Sequence, residues 1–332
     1  MIMKISRLIV LFTAVLFVIS SCSKSDTQTI SRRGNGTPEE TVPPGTVVKD
    51  ILYGSNTNWL GQNEQLLLDV YVPPGNPGRH PLLLYIHGGG FEVGTKETAA
   101  DFATLMQQKG FVVAPINYRI GWTHSETDIC DGDSTEAIEA FYRAIQDARA
   151  ALRYLVANAD KYSIDTNWIF VGGASAGGVA TLGVTYYTQE TIDKYMPGIS
   201  AKLGPLDADN NITATYEIKA DISMWGAINT LDVVTPDNAV PTIFFHGEKD
   251  MVVPYDVNHF YFCNNMPMGY GSKPLYSKLT SLDIPAVAHI DPNGGHGVYT
   301  IPFRADNIAC FLKGLMNKQP ESGFYINKPS CP

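Results

Sequence analysis

The chain has 332 residues, 44% of them hydrophobic and 17% charged, a composition that can bury a sizeable core and excludes a disordered, collagen-like or disulfide-scaffold protein. Lys and Arg total 24 against 33 Asp and Glu, giving a net charge of −9. An acidic surface with no run of Lys and Arg repels phosphate backbones, so no nucleic-acid partner is expected.

The first 22 residues read as an address rather than as structure. Lys4 and Arg7 form a short basic region, and residues 8–19 are almost continuously apolar. That run is too short for the ~20 residues a bilayer-spanning helix needs and fits a signal-peptide core. It ends in Ile19-Ser20-Ser21-Cys22, which resembles a bacterial lipobox, whose cysteine is lipidated and becomes the new N-terminus. The expectation is a signal peptide over 1–21, a lipid (palmitate among its chains) on Cys22, and export to a membrane-anchored position on the periplasmic or cell-surface face. Residues 23 to 47 are rich in Ser, Thr, Gly, Pro and charge and bury too little to order themselves. They read as a tether with an r.m.s. span of roughly 25–30 Å, leaving 48–332 as the globular domain. Outside the cytoplasm Cys130, Cys263, Cys310 and Cys331 can form two bridges in any of three pairings, or stay as buried thiols.

From residue 48 strands and helices alternate. Apolar runs at 66–72, 82–86, 111–116, 168–171, 221–225, 242–245 and 286–290 predict strands, several of them apolar throughout, as a strand covered on both faces requires. The clearest helix spans 133–155. Ile138, Phe141, Tyr142, Ile145, Ala148, Leu152 and Leu155 recur at 3–4 spacing, and Asp133 stands as N-cap before Glu136. The pattern predicts an α/β protein with a mostly parallel central sheet and helices on both faces.

The chemistry-bearing residues follow the predicted strands. After 82–86 comes His87-Gly88-Gly89-Gly90, where consecutive glycines let backbone N–H groups approach an anionic oxygen. His87 precedes the nucleophile candidate and sits at a strand end, so it is read as orienting the glycine loop. The loop 121–133 that follows, with Trp122, is a candidate substrate contact. After 168–171 comes Gly172-Gly173-Ala174-Ser175-Ala176-Gly177-Gly178 with a helical stretch behind it, the G-x-S-x-G elbow that lifts a serine clear of a sheet. The N–H of Ala176 then joins Gly89 and Gly90 as an oxyanion donor. The segment 189–220 interrupts the strand pattern and is expected to shape a pocket. Within it Asp207, Asp209 and Asn211 have calcium-loop spacing, but Ile212 stands where glycine is needed and Ile218 at the twelfth position. These residues, like Asp128, Asp131 and Asp133, are read as solvated loops, and no metal is assigned. After 242–245 comes His246-Gly247-Glu248-Lys249-Asp250, and after 286–290 comes Gly294-Gly295-His296-Gly297. A serine, then an acid, then a Gly-flanked histidine is the α/β-hydrolase order, with Asp250 preferred to Glu248 because it lies deeper in its loop.

HGGG, GASAGG, HGEKD and GGHG in this order resemble the carboxylesterase/lipase branch of the α/β-hydrolases over roughly residues 50–318. The resemblance implies the α/β-hydrolase fold, a nucleophile at Ser175 relayed by His296 and Asp250, oxyanion donors at Gly89, Gly90 and Ala176, and no cofactor. Ala174 stands where the hormone-sensitive-lipase-like group has an acidic residue, and no helical cap is expected before HGGG. That favours similarity to the feruloyl and acetyl carbohydrate-esterase-like group. The expected substrate is a small-molecule or polysaccharide ester. The alternatives are a general short-chain esterase or lipase, a serine peptidase resembling the prolyl-oligopeptidase group, and a non-catalytic binding protein on this fold. The sequence carries no signal of oligomeric state.

Overall fold

Alternate residues of the central strands face two different helical layers. In β3 (His80–Ile86), Leu82, Leu84 and Ile86 enter one buried cluster, while Leu83 and Tyr85 enter the other. A side-chain period of two with both faces covered explains why the run is apolar at every step. The same division holds in β4 (Val112–Ile116), β5 (Ile164–Ala174), β7 (Thr242–Gly247) and β10 (Ala286–Asp291). On one face lie α2 (Ser134–Ala157), α3 (Ala176–Tyr186) and α6 (Ser272–Ser281), contributing Tyr142, Ile145, Val179, Leu182, Leu275 and Leu279. On the other lie α1 (Ala100–Gln108) and α7 (Ile301–Met316), through Phe102, Met106, Ile308 and Phe311. Each such side chain, fully buried, contributes about 1.5–3 kcal/mol.

This computed structural model describes residues 41–76, 78–125 and 127–331, which belong to one compact unit. The remaining elements are β1 (Val47–Thr57), β2 (Asn63–Tyr71), α4 (Gln189–Tyr195), α5 (Ile199–Leu203), β6 (Ile218–Met224), a small hairpin of β8 (Val257–His259) and β9 (Met268–Tyr270), and β11 (Gly323–Ile326). The nine-stranded sheet has the order β1-β2-β4-β3-β5-β6-β7-β10-β11. β2 runs antiparallel to both β1 and β4, and every other adjacent pair is parallel. The expected mostly parallel sheet with helices on both faces is present. α2 begins where expected, with Asp133 Oδ1 accepting from the N–H groups of Thr135 (2.8 Å) and Glu136 (3.1 Å).

Two expectations need correction. The tether does not extend to residue 47: Val42 N–H donates to Lys161 O (2.8 Å), Gly45 N–H to Val72 O (3.1 Å), and β1 starts at Val47. The acidic segment around Asp207 and Asp209 is not simply solvated. Asp207 binds Arg149 and Arg153, and the Asp209 side chain, wholly buried, faces Arg119 and Asn56. Arg149 and Arg153 thus occupy Asp207, while burial and the neighbouring Asp147 outweigh Arg119 and push the Asp209 carboxyl up to about 8. Asp128 and Asp133 in turn cap local turns. The cysteines pair as Cys130–Cys263 and Cys310–Cys331, one of the three arrangements left open by the sequence. Cys22, the predicted signal peptide and most of the predicted tether lie outside the described residues. Among the described residues no helix is long and apolar enough to cross a membrane.

Candidate active site

β5 ends at Ala174 and α3 starts at Ala176, so Ser175 alone makes the turn between them, with φ 57° and ψ −124°. An L-residue adopts such a backbone only where its surroundings enforce it. Here Ser175 N–H donates to Met224 O (2.9 Å), and the flanking glycines remove the obstacles. A Cβ on Gly177 would lie 2.0 Å from Ile86 O, and one on Gly173 would lie 2.5 Å from the Gly177 carbonyl group. The two glycines of G-x-S-x-G are therefore required by the close approach of α3 to β3 and β5. The elbow leaves Ser175 at the positive end of α3.

Ser175 Oγ lies 2.7 Å from His296 Nε2, and His296 Nδ1 lies 2.8 Å from Asp250 Oδ2. Asp250 accepts through that contact, so Nδ1 carries the imidazole proton and Nε2 is free to accept from the serine hydroxyl. The loops after β7 and β10 are joined by Glu248 N–H to Asp291 O and Lys249 N–H to Gly294 O, both 2.9 Å. Those bonds bring the acid and the histidine together from strands that pair in parallel. Asp250 is buried, while Glu248, the competing acid, is exposed. Burial pushes the Asp250 carboxyl up, but hydrogen bonds from His246, His296 and Val252 N–H outweigh it and hold the group well below the usual carboxylate range.

His246 is a site residue the sequence reading passed over. It is fully buried, with Nε2 3.4 Å from Asp250 Oδ2 and 3.1 Å from Val253 O, and Nδ1 2.7 Å from Ser272 Oγ. A carbonyl only accepts, so Nε2 carries the proton and Nδ1 accepts from Ser272. The ring thus fixes the loop that presents Asp250. Its signal was the four-residue spacing between His246 and Asp250 across one turn.

The glycine loop packs against the elbow, since a Cβ on Gly88 would lie 3.1 Å from Ser175 Cβ. Gly89 has φ +114°, and a Cβ there would sit 1.9 Å from Val93 O. Among the described residues the N–H groups of Gly89, Gly90 and Ala176 donate to no protein acceptor. His87 binds Gly88 O through Nδ1 (2.7 Å) and stacks on Tyr118 at 4.4 Å, and burial lowers its pKa against the raising effect of the Gly88 bond. Beside Ser175 opens a cavity of about 590 Å³, mouth included. Phe91, Trp122, Phe141, Phe260, Tyr261 and Met266 line it together with Gly90 and Ala176. Trp122 is also tied to the glycine loop by Nε1–H to Gly90 O (2.9 Å). The wall that packs on Trp122 comes from 252–267 rather than from the expected 189–220. Cys130–Cys263 fastens this wall to the loop 121–133.

Residues 68–234 of the chain match the profile of the BD-FAE family, half of its length. The chain belongs to the BD-FAE family. As a BD-FAE protein it is also 28% identical over 127 residues to gut esterase 1 of Caenorhabditis elegans, which covers 37% of this chain and 22% of that protein. Esterase LipC of Mycobacterium tuberculosis is 25% identical over 246 residues, covering 66% of this chain and 57% of that one. The chain therefore spans well under two thirds of these curated relatives. A truncated carbohydrate esterase from gut microbiota superposes with a TM-score of 0.57 at 18% identity, covering 85% of this chain and 99% of that structure. Thermogutta terrifontis esterase 2 superposes with 0.52 at 18% identity, covering 76% and 85%. These superpositions show that this BD-FAE chain has the α/β-hydrolase fold.

Proposed function

We propose that the protein is a serine carboxylic ester hydrolase in which Ser175, His296 and Asp250 act as a triad. The observation that carries this is the unbroken path from Ser175 Oγ through both nitrogens of His296 to a buried carboxylate. His296 takes the hydroxyl proton as Oγ bonds to the ester carbon, and Asp250 steadies the imidazolium. The oxyanion is received by the N–H groups of Gly89, Gly90 and Ala176. The ester C–O bond breaks as His296 returns its proton to the leaving alkoxide. Water, deprotonated by His296, then splits the acyl-enzyme, and Ser175 regains its proton.

The cavity supports a reading of which side of the ester it holds. Its lining includes Ser175, Gly90 and Ala176 but His296 stands outside it. The leaving alkoxide has to reach His296, so the alcohol occupies the open side and the acyl group fills the cavity. Five aromatic rings suit an aryl acyl group such as feruloyl, whereas acetyl would leave most of the apolar surface unfilled. A polysaccharide alcohol then lies in solvent, in keeping with the carbohydrate-esterase reading. The test holds the alcohol constant and varies the acyl group, from methyl acetate through longer aliphatic esters to methyl ferulate, with acetylated xylan alongside. We expect kcat/KM to rise about tenfold or more from acetyl to the aryl acyl group. Preference for acetylated xylan overturns the aryl assignment, and preference for long aliphatic chains makes the protein a general esterase or lipase. Hydrolysis of aminoacyl anilides alone makes it a peptidase, and no hydrolysis by folded protein makes it a binding protein.

We further propose that the chain is exported and held to a bacterial membrane by a lipid on Cys22. The apolar run ending at the Ile-Ser-Ser-Cys sequence supports this, as do two disulfides in the globular domain. In a bacterium that processes lipoproteins, Cys22→Ala should abolish incorporation of an alkyne-labelled palmitate and move the protein to the soluble fraction. Undiminished labelling would overturn the assignment.

A further inference from the structure

Tyr261 lines the cavity with Ser175 and Gly90, yet no step above uses it. Its hydroxyl lies close over the glycine loop: a Cβ built on Gly90 would sit 3.1 Å from Tyr261 Oη. Among the described residues that hydroxyl has no hydrogen-bond partner. Packing alone would be served by phenylalanine, which flanks it on both sides as Phe260 and Phe262.

The loop holds Tyr261 in an unfavourable backbone. Tyr261 has φ 56° and ψ 8°, and Phe262 follows with φ 59°, two consecutive non-glycine residues in the left-handed region. Several bonds enforce it. Tyr261 N–H donates to Val252 O at 2.7 Å, two residues beyond Asp250, and Met266 N–H donates to Cys263 O at 2.9 Å. Cys263 is bonded covalently to Cys130. A strained conformation so thoroughly fixed, with an unpaired donor at its tip, marks a side chain held for a ligand.

We propose that Tyr261 Oη is a further donor to the oxyanion formed at the ester carbon, beside the N–H groups of Gly89, Gly90 and Ala176. The proposal rests on the esterase reading. Burial, with a smaller effect from the Glu92 carboxylate, raises the phenol pKa, so the hydroxyl keeps its proton. A preorganised donor of this kind acts on the transition state more than on the bound ester.

The test is Tyr261→Phe assayed on nitrophenyl acetate, whose small acyl group does not depend on filling the cavity. We expect kcat and kcat/KM to fall together by about 10²-fold, with KM within about twofold and an unchanged thermal midpoint. Inhibition by a trifluoromethyl ketone, whose adduct with Ser175 places an oxyanion at the same point, should weaken by a similar factor. A role in packing alone would move neither kcat nor the ketone selectively. Unchanged kcat, or a raised KM with kcat intact, overturns the proposal. Ser175→Ala separates the two failures: if it stays active, the assignment of Ser175 as the nucleophile is wrong. If it is silent while Tyr261→Phe matches the wild type, only the role of Tyr261 is wrong.

Discussion

Ser175→Ala is expected to lower kcat for ester hydrolysis by about 10⁵–10⁶-fold without shifting thermal unfolding. The substitution removes one hydroxyl from a turn whose geometry depends on Gly173 and Gly177 rather than on the serine side chain. His296 stays bonded to Asp250, and the substitution touches none of the oxyanion donors, so the residual rate reports binding and polarisation alone. The pre-steady-state burst of nitrophenol and the mass gain on treatment with a phosphonate ester should both vanish. A variant keeping most of its turnover would show that the nucleophile lies elsewhere.

Asp250→Asn is expected to cost about 10⁴-fold in kcat, by a route that can be followed atom by atom. Asp250 Oδ1 accepts from the N–H groups of Val252 (2.8 Å) and Val253 (3.0 Å), so the asparagine oxygen must stay there. Its NH₂ group then faces His296 Nδ1 as a donor. The imidazole has to accept at Nδ1 and carry its proton on Nε2, the atom that should receive the proton of Ser175. The variant also reports on stability. The folded carboxyl is held below its unfolded value, so its contribution is fully present above about pH 4 and is lost as pH falls through the folded pKa. Unfolding measured from pH 7 down to pH 3 should show the wild type losing its advantage over Asp250→Asn. An advantage that grew on acidification would contradict this account.

The central strands and the turns behind them were legible because both leave strong local marks. Burial on two faces demands a continuous apolar run, as in Leu82–Leu83–Leu84, and the elbow demands glycine at fixed offsets from Ser175. The edges left weaker marks. β1 buries only Tyr53 fully, has an irregular register and contains Asp50 and Gly54, so no apolar run announces it. β11 has four residues and no fully buried one, and β8 and β9 have three each. The pocket wall at 252–267 has little regular structure, and its tie to Cys130 spans 133 residues of sequence, beyond the reach of any periodicity. His246 was missed for a different reason. A buried histidine that supports an acid looks, in sequence, like any apolar-flanked histidine at a strand end.

The bridge between Cys130 and Cys263 has a consequence for how acyl preference can change. It makes the two walls of the cavity one heritable unit assembled from distant parts of the gene. Neither wall supplies a strand to the nine-stranded sheet, so both can be rewritten without touching the scaffold that aligns Ser175, Asp250 and His296. Transplanting one loop from a relative leaves an orphan thiol and a wall with nothing to lean on. Recombination that moves both loops together keeps the cavity closed, so new specificities on this scaffold are to be sought in paired exchanges.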